Sequence, residues 1–321
     1  MRVLVTGARS LLGGLTAQAL AARGDDVVVL QRGASGLGLP EVLGDIADPA
    51  AVREAVHGCD AVVHLAARVG VVGTPEQFRL TNVEGTRVLL AAAAGAGVSR
   101  FVQVSSPSVA HEGHALVGVG AAPADPVGAR SDYSRTKAEA ELLALAADAP
   151  GFAVVAVRPH LVWGPGDTQL VGRIVERARA GRLALVDDGA ALVDTTYVDN
   201  AVDALVAALD AAGRVHGEAF VVTNGEPRTV RELLSRMALA AGLEPPRLRV
   251  PFAVAAAGGA VAERVWAARG RDDDPPMTRF LAEQLGTAHW FDQRRTREAL
   301  GWRPRLGLEE GFARLAASLR G

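Results

Sequence analysis

The chain has only two tyrosines, and one of them sits in Tyr133-Ser134-Arg135-Thr136-Lys137. A tyrosine and a lysine four apart on a helix share one face, about one turn from each other. A phenol with an ordinary pKa near ~10 is a poor acid–base group at neutral pH. A neighbouring ammonium stabilises the phenolate and lowers that value. The pair can then hand a proton to a carbonyl oxygen or take one from an alcohol. Lys137 is the sole lysine of the chain; every other cation among the 34 Lys+Arg is arginine, so a generic surface charge is a poor account of it. Ser105 and Ser106 end the apolar run Phe101–Val104, where a second polar group could hold the reacting oxygen. A Ser-Ser pair after a strand is by itself as readily a turn or a cap; its weight comes from the Tyr/Lys pair on the next helix.

A second constellation lies at the N-terminus. The run Arg2–Thr6 leads into Gly7-Ala8-Arg9-Ser10-Leu11-Leu12-Gly13-Gly14 and then a helix. Gly7 permits a tight turn, Gly13 allows close backbone approach to a pyrophosphate, and the helix N-terminus offers free N–H groups. The G-x-G-x-x-G form is absent because Arg9 fills its second glycine position. At the end of the second apolar run, where an NAD site usually carries an acid, the sequence reads Leu30-Gln31-Arg32. Arg32 and Arg9 can pair with a 2′-phosphate, which favours NADP and leaves NAD open. Asp45, with Ile46 beside it, is a candidate for the adenine side, or else a cap of the helix over 47–56.

These groups need a sheet that brings strand ends together. Continuous apolar strands at 2–6, 27–30, 61–65, 101–105 and 152–157 alternate with helices at 11–23, 75–94 and 134–147. That pattern predicts a Rossmann-type, doubly wound parallel sheet of the α/β class. After Pro159 the rhythm changes. Residues 163–167 read as a loop, 170–180 as a basic helix, 194–197 as a strand, 200–209 as a helix and 220–223 as a strand. From about Arg228 the chain reads as helical, broken at Pro245-Pro246 and Pro275-Pro276. The expected division is a dinucleotide-binding unit over 1–160, a returning segment near 190–215, and a smaller substrate-binding domain from the rest of 161–321.

With 321 residues the chain can bury a full core, and 49% hydrophobic against 22% charged residues excludes wholesale disorder. A net charge of −2 gives no basic excess for a nucleic-acid partner. A single cysteine, Cys59, forms no internal disulfide and fits a cytoplasmic setting. No signal peptide is legible, and the apolar stretch 252–262 is too short to span a bilayer, which takes ~20 residues. It reads as a buried helix or a lid over an apolar pocket, ahead of a helix resting on a membrane.

Taken together these motifs resemble the extended short-chain dehydrogenase/reductase family. The likeness rests on the glycine loop, Val104-Ser105-Ser106-Pro107-Ser108-Val109, Tyr133 to Lys137, the run 158–167 and Thr196-Tyr197-Val198-Asp199-Asn200. The forms Ser-Ser-Pro-Ser-Val, Trp-Gly-Pro-Gly-Asp and Tyr-Val-Asp-Asn are most similar to its 3β-hydroxysteroid dehydrogenase-like branch, which includes bacterial reductases of 2-alkyl-3-oxoalkanoic acids. The resemblance implies that Tyr133 is the acid–base and that Lys137 activates it and holds the nicotinamide ribose. It also implies that Ser106 binds the substrate oxygen and that Asn82 belongs to the active-site region. Leu65, Ala66 and Ala67 would line the adenosine side, and Pro159, Leu161 and Val162 would flank the nicotinamide. Dimers through the helices near 84–94 and 134–147 are a family habit.

Two departures matter. Ser10 replaces the middle glycine of the family loop T-G-x-x-G-x-x-G, adding a side chain where glycine's freedom at positive φ is lost; the expectation is that it is tolerated, its hydroxyl bonding a phosphate, with reduced cofactor affinity as the cost. Leu161 stands where nucleotide-sugar enzymes carry an Asn, which favours an apolar pocket. The expectation is therefore an oxidoreductase interconverting a secondary alcohol and a ketone on a bulky apolar small molecule. The alternatives are a nucleotide-sugar epimerase or dehydratase and a non-catalytic NADP sensor. Arg173 of the basic helix is a candidate carboxylate ligand or a solvated helix face. His111 and His114 read as exposed loop residues, with a place in the pocket lining as the alternative.

Overall fold

Apolar runs bounded by turns become seven parallel strands: β1 (Arg2–Thr6), β2 (Asp26–Gln31), β3 (Glu41–Leu43), β4 (Ala61–His64), β5 (Arg100–Val104), β6 (Ala153–Pro159) and β7 (Ala219–Val222). The computed structural model describes residues 1–70, 73–111, 113–269, 275 and 277–320. Pro276, one of the expected helix breaks, lies outside them. The sheet order is β7-β6-β5-β4-β1-β2-β3, with every neighbouring pair parallel. The chain leaves β1 in one direction and returns at β4 on its other side, so a crevice opens between their carboxyl ends.

Both faces of this sheet are covered, which is why its strands are apolar throughout rather than alternating. Val3, Val5, Val27, Val29, Ala61 and Val63 pack on one face with helices α1 (Leu11–Ala22) and α6 (Val198–Val215). Leu4, Val28, Leu30 and Val62 pack on the other, against α2 (Pro49–Val56) and α3 (Gly85–Gly95). Two further helices, α4 (Asp132–Ala146) and α5 (Val171–Arg179), carry the candidate groups. Ser131 caps α4, accepting from Ser134 N. Asp167 caps α5, its carboxylate accepting from the backbone of Gln169, Leu170 and Val171.

Several expected elements are divided in the fold. The helix expected over 75–94 is a short helix (Pro75–Arg79), a π-helical turn (Leu80–Glu84) and α3. The extra residue of a π turn rotates the side chains around it, and here Asn82 is turned inward to near-complete burial. The strand expected over 194–197 is also two pieces. Leu192–Val193 joins a small sheet with Arg228–Thr229, His289–Phe291 and Leu116–Val119, whereas Thr196–Tyr197 pairs with Val162–Trp163. Strands of two to four residues from four distant segments have no period to reveal them. The apolar helix is longer than expected, running from Phe252 to Ala268.

Arg158 on β6 and Glu141 on α4 form a buried, two-pronged ion pair (2.8 and 2.5 Å), and the same guanidinium donates to the Ala122 carbonyl at 2.7 Å. The pair pins α4 to the sheet. Arg158→Met leaves a carboxylate buried without its partner and should cost about 3–5 kcal/mol in denaturant unfolding. Arg305→Ala, at the exposed Arg305–Asp203 pair, should cost under about 1 kcal/mol.

Candidate active site

The glycine loop is held by backbone fit. Gly7 has φ +76, and a Cβ there would stand 2.8 Å from Ala66 N. A Cβ on Gly13 would stand 2.4 Å from the Gly7 carbonyl oxygen. Ser10 has φ −75, so the position needs no glycine freedom. Its hydroxyl donates to the Gly7 carbonyl (2.9 Å) and accepts from Gly13 N (3.1 Å). Serine is thus the N-cap of α1, and its side chain is engaged within the loop rather than offered to a phosphate. That removes the reason for expecting a spoiled loop. Gly7, Arg9, Ser10, Leu11 and Leu12 line a cavity of about 860 Å³, while Gly13 lies behind them.

Arg32 and Arg9 both line this cavity, the Arg9 guanidinium lying 3.0 Å from where a Gly33 Cβ would stand. Asp45 and Ile46 line it too. Asp45 accepts from Ala47 N in a turn, and the cap of α2 is Asp48, which accepts from Ala50 N. Ile46 is buried against Gly85, where a Cβ would come within 2.5 Å of it.

Behind the cavity wall runs a chain of buried hydrogen bonds. Thr6 Oγ1 accepts from Ala66 N (3.0 Å) and is hydrogen-bonded to His64 Nδ1 (2.7 Å). Thr86 Oγ1 donates to the Asn82 carbonyl (2.6 Å) and therefore accepts from His64 Nε2 (3.0 Å). The Thr86 bond puts a proton on Nε2. Burial, with the charge of Lys137 second, pushes the His64 pKa down to about 3, so the imidazole is neutral and Nδ1 accepts from Thr6. Asn82 continues the chain. Its Oδ1 accepts from Arg68 N (2.7 Å), and its Nδ2 donates to the Arg68 carbonyl (3.1 Å) and to Thr136 Oγ1 on α4 (3.0 Å). Asn82 thus stands one layer back from the cavity, tying the 65–68 segment to α4, with Leu65, Ala66 and Ala67 on the cavity side.

Tyr133 and Lys137 face the cavity from α4. Lys137 is buried and its Nζ donates to the Val104 carbonyl at 2.5 Å. Burial lowers its pKa to about 8, against the opposing pull of Glu141. The expectation that Tyr133 is lowered is reversed: burial pushes its phenol above the ordinary value, and only a hydrogen bond with Ser106 works against that. Ser106 Oγ accepts from both Ser108 N (3.3 Å) and Ser108 Oγ (3.0 Å), which leaves its own proton to donate to Tyr133. The phenol proton then remains for another acceptor. Adjacent residues at a strand end point apart, and it is Ser105 whose buried hydroxyl lines the cavity, without a hydrogen-bond partner among the described residues. Sequence reasoning places Ser105 behind Ser106, since nothing in a Ser-Ser pair tells which side chain turns which way.

The opposite wall is apolar and comes from the second half of the chain. Pro159, Leu161, Val162, Leu170, Phe280 and Leu281 line it. Leu161 has φ +42, a left-handed conformation that Asn adopts more readily than Leu. The Asn expected in nucleotide-sugar enzymes therefore suits the backbone here as well as the pocket. Trp163 is core: it stacks on Phe312 (4.6 Å) and donates to Thr195 Oγ1 (2.8 Å). His111 is buried beside Glu283 and Phe280, against the expectation of exposure, whereas His114 is exposed. Among the described residues no group of three potential ligands could hold a metal ion, and no helix is long and apolar enough to cross a membrane.

A dinucleotide suits these residues. The loop excludes any Cβ at Gly7 and Gly13, α1 presents its N-terminus, cationic side chains flank the β2 end, and an unpartnered Ser105 hydroxyl awaits a polar group. Fold and cavity define a Rossmann-type protein of the nucleotide-cofactor class. Residues 3–223 match the model of the NAD dependent epimerase/dehydratase family. The chain is 42% identical to a 2-alkyl-3-oxoalkanoate reductase of Stenotrophomonas maltophilia, covering 99% of each chain. It is 32% identical to the 4-hydroxy-2-methyl-3-oxo-4-farnesyl-3,4-dihydroquinoline-1-oxide ketoreductase of Stigmatella aurantiaca, over 97% of this chain and 95% of that one. The solved structure of MoeE5 in complex with UDP-glucose and NAD superposes with a TM-score of 0.78 at 27% identity, covering 100% of this chain and 99% of that one. The chain belongs to the NAD dependent epimerase/dehydratase family and is an oxidoreductase of its extended short-chain dehydrogenase/reductase type.

Gly13→Ala should weaken dinucleotide binding at least tenfold by fluorescence titration, because the new methyl meets a backbone carbonyl. His64 makes a second prediction. Its folded pKa lies below the ordinary 6.5, so the unfolded chain takes up a proton that the folded one refuses. Its stabilising contribution is complete above pH 6.5 and is lost as pH falls toward 3, by up to about 1.4 kcal/mol per pH unit. Unfolding free energies measured from about pH 7 to 4 should fall less steeply in His64→Gln than in the parent.

Proposed function

We propose that the protein is an NADPH-preferring ketoreductase acting on the 3-oxo group of a bulky, largely apolar acid, with Tyr133 as proton donor. The carrying observation is that the Tyr133 phenol faces the same cavity as the glycine loop and a wall of Pro159, Leu161, Val162, Leu170, Phe280 and Leu281. The names of the relatives above support the same reading.

When bound, the nicotinamide supplies a hydride, two electrons and one hydrogen, to the carbonyl carbon. Everything else falls to the chain. The carbonyl oxygen gains the phenol proton of Tyr133, so the ketone becomes a secondary alcohol with no further reactant. A raised phenol pKa suits this direction, since the group is protonated at neutral pH and ready to donate. Ser106 supports the phenol from behind by donating to its oxygen, which stabilises the anion left when the proton goes. Lys137, one turn along the same helix face, is charged below about pH 8. Ser105 is the group of the pair that reaches the reacting oxygen or the nicotinamide amide. Arg9 and Arg32 take the 2′-phosphate, and Asn82 acts by holding α4 in place.

Tyr133→Phe should lower turnover of a 2-alkyl-3-oxo acid by about 10²–10⁴-fold, while NADPH affinity by fluorescence stays within about twofold. Retained turnover would overturn the role of Tyr133. NADPH should bind well ahead of NADH, and Arg32→Ala should narrow that gap; equal binding would remove both arginines from the phosphate site. The reduction rate should fall as pH rises through about 8, where Lys137 loses its proton.

A further inference from the structure

Part of the apolar wall comes from a pair of helices late in the chain, α7 (Phe252–Ala268) and α8 (Arg279–Gly286), of which α8 supplies Phe280 and Leu281. The two helices are tied closely to each other. A Cβ on Gly259 of α7 would stand 2.5 Å from the Thr278 carbonyl carbon, and Glu263 Oε1 accepts from Arg279 N at 2.9 Å. Their apolar hold on the rest of the molecule rests on a small cluster whose buried members are Val186, Ala255 and Ala282. Val254 and Val261 on α7 stay exposed. Asp187 Oδ1 accepts from Phe252 N (2.8 Å), and His289 Nε2 donates to the Gln284 carbonyl (2.7 Å), but neither bond runs to α4. An element with so few buried apolar contacts opens at a lower free energy than the core.

One buried carboxylate joins this helix pair to α4. Glu283 on α8 has a side chain only 6% exposed. Its Oε1 accepts from Arg130 Nη2 (2.7 Å) and its Oε2 from Arg130 Nε (3.3 Å), a two-pronged contact. Arg130 directly precedes Ser131, which caps α4 and lines the cavity, so the contact lands three residues from Tyr133. Gly113, at φ +88, leaves room for the guanidinium: a Cβ there would stand 3.1 Å from Arg130 Nε. His111 packs edge-on against Phe280 (6.1 Å) and lies 4.0 Å from Glu283 Oε2, beyond hydrogen-bonding reach. Burial lowers the His111 pKa, so it adds no charge that competes with Arg130. Arg279 also donates to Glu283 Oε1 (3.2 Å), but from the same helix. Burial pushes the Glu283 carboxyl up, and the hydrogen bonds and charge of Arg130 outweigh it, so the group lies below its ordinary value and is charged at neutral pH.

We propose that the Arg130–Glu283 pair is a clasp that sets the α8 wall at a fixed distance from the Tyr133 phenol, making both members positioning residues for the alkyl chain of the substrate. The inference rests on the ketoreductase reading and deepens it. A substrate whose oxo group meets Tyr133 reaches Phe280 and Leu281 only with a long chain; a short one ends before that wall. A forked guanidinium–carboxylate contact has one geometry, whereas apolar side chains slide past one another. The wall held by the fork therefore presents the same pocket length at each turnover. Released, α8 drifts from α4, and the grip on a long chain is the first property lost. The glycine loop and the Tyr133–Ser106 contact do not pass through the pair.

The test compares the parent with Arg130→Gln, Arg130→Lys and, as a control, Arg279→Gln. Each is assayed with NADPH on 2-alkyl-3-oxo acids of long and of short alkyl chain, and each is followed by amide hydrogen exchange. Arg130→Gln should raise the ratio of KM for the long chain to KM for the short chain about tenfold or more, with the NADPH Kd within about twofold. Amides of residues 281–286 should exchange about tenfold faster, while those of 138–146 on α4 keep the parent's rate. Arg130→Lys, which keeps the charge without the fork, should recover part of both effects, and Arg279→Gln should change neither. A KM rise equal for long and short chains, or unchanged KM and exchange, would overturn the clasp and leave the ketoreductase reading standing. Faster exchange throughout α4 would overturn it too, assigning the pair to general stability. If the parent reduced neither acid, the ketoreductase reading would fail; faster exchange confined to α8 would then still support the clasp, and unchanged exchange would overturn it.

Discussion

A neutral histidine locked between two threonines is the constraint on which the rest of the site depends. His64 ends β4, the strand beside which the sheet order reverses, and its tautomer is set by burial and by the proton that Thr86 gives to the Asn82 carbonyl. Through Thr6 it fixes Ala66, whose backbone is what forbids a side chain at Gly7. Through Thr86 it reaches Asn82, which binds the Arg68 backbone with both ends of its amide and touches α4 at Thr136. Tyr133 and Lys137 flank Thr136 on that helix, and the glycine loop lies at the other end of the chain of bonds. Burial keeps the imidazole uncharged, so Nδ1 accepts from Thr6 while Nε2 donates to Thr86.

The second ordering principle is that charge under α4 is scarce and matched. Arg158 and Glu141 neutralise each other under α4. Lys137 is buried over a carbonyl with Glu141 one turn along the same helix. Such an interior keeps the phenol of Tyr133 protonated by burial. On the proposed reading this is a site arranged to give a proton rather than to receive one. The apolar second wall, pinned by the stacked Trp163 and Phe312 beneath it, supplies the bulk recognition.

Much of this is legible in the sequence, for definite reasons. Long buried strands such as Val3-Leu4-Val5 and Ala61-Val62-Val63 announce a covered parallel sheet, and the lone lysine four residues after a tyrosine announces a reacting pair. The features that escape have no local signal. The π turn at 80–84 looks like any helix, yet it is what turns Asn82 inward. Ser10 reads as a damaged glycine until its φ and its cap bonds are seen. The raised Tyr133 pKa depends on burial, which a four-residue spacing does not report. The small sheet of 116–119, 192–193, 228–229 and 289–291 is held by pairings across most of the chain length, so no window contains it.

On this reading electrons pass in one direction, from the nicotinamide to a substrate oxo carbon. The direct measurement is a single-turnover reaction of the purified protein with NADPH deuterated at C4 and a 2-alkyl-3-oxo acid, read by mass spectrometry and NMR. Hydride transfer to the oxo carbon requires deuterium at the carbinol carbon of a released 3-hydroxy acid, with one NADP formed per product. Absence of that label, or turnover of a sugar nucleotide with no net oxidation of the cofactor, would contradict it.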